Sequence, residues 1–99
     1  LLVDSFCKKI GVKYGVTVSS GTAGLHVALL SLQLKKNDEV IMPAITMSAV
    51  AYAIILSRAK PIFADVDNDT LNIDPKSVEK KIPKKNKSNY CCFIARVVC

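Results

Sequence analysis

Short apolar, β-branched runs alternate along this chain with longer stretches of helical period. Tyr14-Gly15-Val16-Thr17-Val18 suits a buried parallel strand. Ser19-Ser20-Gly21-Thr22 breaks that run and opens a helix, with Ser20 a natural cap. From Ala23 to Leu34, Leu25, Leu29 and Leu32 share one face, while Gly24 and Ala28 permit close packing. After the polar turn Lys35-Lys36-Asn37-Asp38, Glu39-Val40-Ile41-Met42 reads as a second strand, stopped by Pro43. Thr46 is placed to cap a second helix through Leu56, apolar nearly all round and so expected to be buried. Lys60 to Val66 reads as a third strand, and Asn68-Asp69-Thr70 turns the chain. Asp74-Pro75 supplies a cap and a first-turn proline for a third helix, running to about Ile82.

Three strand–helix units with short connections predict an α/β fold, with right-handed crossovers and a parallel sheet. The 99 residues make at most one small domain. No apolar run approaches the roughly 18–20 residues that cross a bilayer, so no membrane partner is expected. The start, Leu1-Leu2-Val3-Asp4, lacks a basic segment and a small-residue cleavage site. A chain that begins mid-pattern without Met reads as a fragment.

The net charge of +6 changes this picture less than its size implies. Through Pro75, seven Lys/Arg and seven Asp/Glu cancel, and the whole excess falls between Lys76 and Cys99. A nucleic-acid partner calls for a basic stripe on a folded face with stacking or base-reading residues, and neither is present. Cysteine divides the same way: Cys7 stands alone, while Cys91, Cys92 and Cys99 crowd the end. No Cys/His pattern has zinc spacing, so no metal site is expected. Free thiols fit a reducing, cytoplasmic compartment.

The stretch Ser19 to Ala23 is the most informative chemically. At a strand-to-helix junction the first backbone N–H groups are unpaired, and with the helix dipole they suit a phosphate. Gly21 allows close approach, and the Ser20 and Thr22 hydroxyls add hydrogen bonds. An ordinary helix cap is the plainer reading of these residues alone. Asp65 and Asp67 resemble a catalytic carboxylate pair, yet at a strand end they are expected to fix the following turn. His26, within the helix, is expected to be packed or solvated rather than catalytic.

Four blocks in order carry a resemblance. Val18 to Leu29 (V-S-S-G-T-A-G-L-H-V-A-L), Asp38 to Thr46, Ala59 to Asp67 and Leu71 to Pro75 resemble the DegT/StrS-type sugar aminotransferases, over about residues 5–82. The resemblance implies part of the large domain of the aspartate-aminotransferase-like fold (fold type I), a mostly parallel sheet with flanking helices. It implies pyridoxal 5'-phosphate (PLP) as cofactor, with its phosphate at Ser20, Gly21, Thr22 and Ala23. Met47 stands where the family usually has an aromatic residue against the pyridine ring; a thioether can lie on a π-face. Tyr52 departs from the Asn often found there. The activity implied is transfer of an amino group, with glutamate the expected donor, to a keto-group on a nucleotide-linked sugar, in a homodimer. The products would feed polysaccharide, lipopolysaccharide or glycosylated metabolites. A dehydratase of the same family and a non-catalytic truncated product are the alternatives. A binding module that holds some other phosphate is a third.

The lysine that carries the cofactor and the acid that keeps its ring nitrogen protonated lie, in this family, beyond residue 99. No catalytic residue is therefore assigned within the chain. Residues 1–83 read as the N-terminal part of the PLP-binding domain, and 84–99 as an atypical basic, cysteine-rich tail. The family usually continues as a K-x-T-K-A-I-x-x-V strand. Back-translating from Lys84 and reading one base later permits K-K-T-K-A-I-I-V-V-S-L-H-G. The tail accordingly reads as out of frame.

Overall fold

The structure, a computed structural model, describes residues 2–82 and the backbone of 90–92. Its elements are α1 (Leu2–Ile10), α2 (Gly21–Ser31), β1 (Glu39–Pro43), α3 (Ser48–Leu56), β2 (Lys60–Ala64), α4 (Pro75–Lys81) and β3 (Tyr90–Cys92). The strands form one sheet in the order β2-β1-β3, and both pairings are parallel. β1 is thus central, opposite Lys60–Ala64 on one side and Tyr90–Cys92 on the other. Its Val40 and Ile41 are 0% exposed. The main core joins Leu29 of α2, Val40 and Met42 of β1, and Val50, Ala53 and Ile54 of α3. Helices α2 and α3 pack on each other, and α3 also meets both β1 and β2.

Local chemistry explains the helix limits. Ser20 caps α2, its Oγ accepting a hydrogen bond from the Ala23 amide at 3.1 Å. Asp74 caps α4 by accepting from the Lys76 amide at 2.9 Å, and Pro75 opens the first turn. α2 and α3 are each followed by a residue in the left-handed region, Gln33 (φ 52) and Arg58 (φ 64). That conformation turns the chain off a helix end, a task glycine performs more often. Buried Ser77 ties α4 to the end of β2, its Oγ accepting from the Asp65 amide at 2.9 Å.

Several expectations are corrected. Tyr14–Val18 is extended but is not a strand, and Val16 is 80% exposed. A strand exists only through a ladder partner, and both neighbour positions of β1 are filled by β2 and β3. The segment rests instead near α1, with Gly15 beneath Cys7 and Val3. Helix α1 lies outside the elements that the pattern predicts, although Val3, Cys7 and Ile10 have helical spacing. α3 buries only one face: Val50, Ala53 and Ile54 point inward, whereas Tyr52, Ile55 and Leu56 are exposed. Leu32 leaves the core face because α2 ends at Ser31. β2 stops at Ala64, and Val66 makes only an isolated antiparallel bridge to Ile73.

Candidate functional site

Helix α2 ends in a turn that enters β1, and β1 runs on toward Ala44–Met47 and α3. α2 and α3 therefore each run counter to the strand direction, and their N-termini open at the edge where the parallel strands end. That edge is where open α/β sheets bind ligands. It carries Ser20–Ala23 at the start of α2 and Thr46–Met47 at the start of α3.

At the first of these, one of the four amides that a helix start leaves unpaired has a side-chain acceptor, and the first intrahelical bond follows it. Ala23 N–H donates to Ser20 Oγ, and Gly24 N–H donates to the Ser20 carbonyl at 3.0 Å. The Gly21 and Thr22 amides are the remaining donors of the turn, on exposed residues. Ser20 Oγ accepts from Ala23 and keeps its own proton to donate. A Cβ built on Gly21 meets nothing within 4 Å, so the face is open. The turn offers an anion two amides and two hydroxyls, in the field of an 11-residue helix.

At the second, Met47 takes the N-cap position of α3 without a side-chain hydrogen bond and is 67% exposed. Thr46, expected to be the cap, is not. Its Oγ1 is buried and has no hydrogen-bond partner among the described residues. The backbone places Thr46 one residue too early, so its hydroxyl does not reach the first-turn amides of α3. Nε2 of His26, in α2, is likewise buried and unpaired. A buried polar atom without a partner costs about 1–3 kcal/mol. Neither unpaired atom was legible in the sequence, because pairing depends on what packs around it.

The Asp67 carboxyl is committed to the turn that follows β2. Asp67 Oδ1 accepts from the Asp69 amide (3.1 Å), the Thr70 amide (2.9 Å) and the Thr70 hydroxyl (3.0 Å). The Thr70 amide, then its hydroxyl and the Asp69 amide, hold this carboxyl below its ordinary value of 3.8. Asp65 contributes its backbone, its carbonyl accepting from the Asp74 amide at 2.8 Å. Asp67 serves the turn, as its place past the strand end implies, whereas Asp65 ties the end of β2 to the start of α4 through its backbone. The described residues contain no cluster of three or more metal-ligating side chains, and no helix among them is long and apolar enough to cross a membrane.

The DegT/DnrJ/EryC1/StrS aminotransferase family matches residues 2–89. The chain belongs to this family. Among solved structures, it is similar to the E coli GDP-4-keto-6-deoxy-D-mannose-3-dehydratase with bound hydrated PLP. The identity is 34% and the TM-score 0.75, over 82% of this chain and 22% of that one. NtdA from Bacillus subtilis, with bound cofactor PMP, is 33% identical with a TM-score of 0.78, over 89% of this chain and 19% of that one. A GDP-4-keto-6-deoxymannose-3-dehydratase variant with bound GDP-perosamine is 35% identical with a TM-score of 0.74, over 81% and 22%. The chain thus spans about a fifth of the length of the solved relatives it matches. The expected fold type holds: these relatives are PLP-enzyme structures, and this chain supplies part of their parallel sheet with its flanking helices.

Proposed function

We propose that this chain is the N-terminal part of a PLP-dependent aminotransferase that acts on nucleotide-linked keto-sugars. The observation that carries the reading is the open turn at the start of α2, where the Gly21 and Thr22 amides and the Ser20 and Thr22 hydroxyls stand at the positive end of the helix dipole. Ser20, Gly21 and Thr22 would hold the cofactor phosphate. Ala23 contributes through the cap, because its amide is already bonded to Ser20. Met47, exposed at the same sheet edge, would lie against the pyridine ring. The unpaired Thr46 hydroxyl supports a polar group at this edge. When bound, PLP supplies an electron sink that lets an amino group be taken from one substrate and given to another.

What this chain's own residues do is bind and orient. The rigid helix start fixes the phosphate and so sets where the ring lies. The sugar and donor assignment rests on relatives, one solved with GDP-perosamine and another with PLP-glutamate trapped. A dehydratase of the same family is the second reading, favoured by the dehydratases among the similar structures. A cytoplasmic homodimer making amino-sugars for polysaccharide, lipopolysaccharide or glycosylated metabolites completes the proposal. Residues 84–99 stand apart from the cofactor-binding part. The 99 residues alone contain no counterpart of the cofactor lysine and are expected not to transaminate.

The test is a PLP titration of the full-length parent, read by its visible absorbance. Ser20→Ala with Thr22→Val should weaken PLP retention at least ~10-fold, by loss of two charge-assisted hydrogen bonds. Unchanged retention would remove the phosphate role from this turn. A parent that binds other phosphates but not PLP would favour a binding module.

A further inference from the structure

The central strand β1 carries an observation about the residues beside it. Val40 and Ile41 are fully buried and lie in register with Cys91 and Cys92 of β3, while Glu39 lies opposite Tyr90. A parallel strand next to one buried on both faces normally reads as a continuous Val/Ile-rich run. Residues 84–99 depart from the rest of the chain in other ways. They hold the lysine run Lys84, Lys85 and Lys87, and three of the four cysteines.

The genetic code limits what the same bases encode when read one base later. Asn89 followed by Tyr90, and Tyr90 followed by Cys91, yield only Ile or Thr. Cys91 followed by Cys92, and Cys92 followed by Phe93, yield only Val or Ala. This holds for every choice of codons. The shifted reading therefore puts β-branched or small apolar residues opposite Glu39, Val40 and Ile41, as two-sided burial requires.

We propose that from about Lys84 the reading frame is displaced by one base, through a slip in an A-rich run of lysine codons. The strand beside β1 is encoded in the displaced frame. Its sequence over 84–96 is K-K-T-K-A-I-I-V-V-S-L-H-G or a close variant within the limits above. This inference does not rest on the cofactor assignment: the sheet register and the code carry residues 89–92, and the remainder of the string follows the family pattern.

Two measurements test it. The coding DNA and its transcript are sequenced from the Asp74 codon to several hundred bases past Cys99. The proposal expects a shifted frame that stays open well beyond Cys99 and reads as further α/β sequence. A shifted frame that closes within a few codons overturns it. The chain as written is then compared with one carrying the shifted string over 84–96, by amide hydrogen exchange at Val40 and Ile41. At least ~10-fold slower exchange is expected in the shifted chain; equal or faster exchange overturns the assignment of that string to the strand.

Discussion

At Ser20 one hydroxyl serves two purposes, since it closes the first turn of α2 and faces the proposed phosphate position. Ser20→Ala removes the bond to the Ala23 amide and should cost about 1 kcal/mol. The expected sign is roughly fivefold faster exchange of the first-turn amides of α2, with those of α4 unchanged; equal exchange would show the cap to be idle. Asp67 offers a pH reading of the same kind. Its folded carboxyl titrates below 3.8 because Thr70 and Asp69 donate to the charged form. It therefore stabilises the turn above that value, and the contribution disappears as pH falls through the lowered folded value. A carboxyl carbon titration should place Asp67 below the ordinary carboxylate value, and Asp67→Asn should abolish the acid-dependent loss of protection at the Thr70 amide. The Ser20 and Asp74 caps and the turn role of Asp67 could be read directly, because each acts within three residues of itself. The unpaired atoms of Thr46 and His26 could not, since their state depends on distant packing.

The elements differ in what supports them. α1 is held through Gly15: a Cβ there would meet Cys7 Sγ at 2.7 Å and Val3 Cγ1 at 3.3 Å. Gly15→Ala should overpack this contact by about 1–3 kcal/mol. Faster labelling of the buried Cys7 thiol is the readout, and unchanged labelling would mean that α1 gives way at no cost. The prediction belongs to the element, because the backbone of Gly15 itself is unstrained and only the approach of α1 matters. The strand expected over Tyr14–Val18 shows the other side of the same point. Its residues have strand character, but pairing requires a neighbour that this chain places elsewhere.

Taken as a whole, the described residues form a three-stranded parallel sheet with helices that matches about a fifth of its solved relatives' length, and it leaves much apolar surface uncovered. Val16, Tyr14, Met47, Tyr52, Ile55, Leu56 and Phe63 are all exposed. Parallel sheets are ordinarily covered on both faces, so the isolated chain should self-associate or bind a hydrophobic dye. Light scattering against concentration checks this, and a sharply cooperative melt of a soluble monomer would contradict it.

The sequence by itself determined the helix starts at Ser20 and Asp74, the β1 and β2 runs with the helix between them, and the blocks that mark the family. These depend on periodicity, capping and turn chemistry, which act over a few residues. Only the tertiary structure decided that Tyr14–Val18 stays unpaired, that α3 buries one face, and that Thr46 is not a cap. It also set β1 between β2 and β3. Those outcomes depend on which segments meet across the fold, and burial and ladder bonding exist only once both partners are in place.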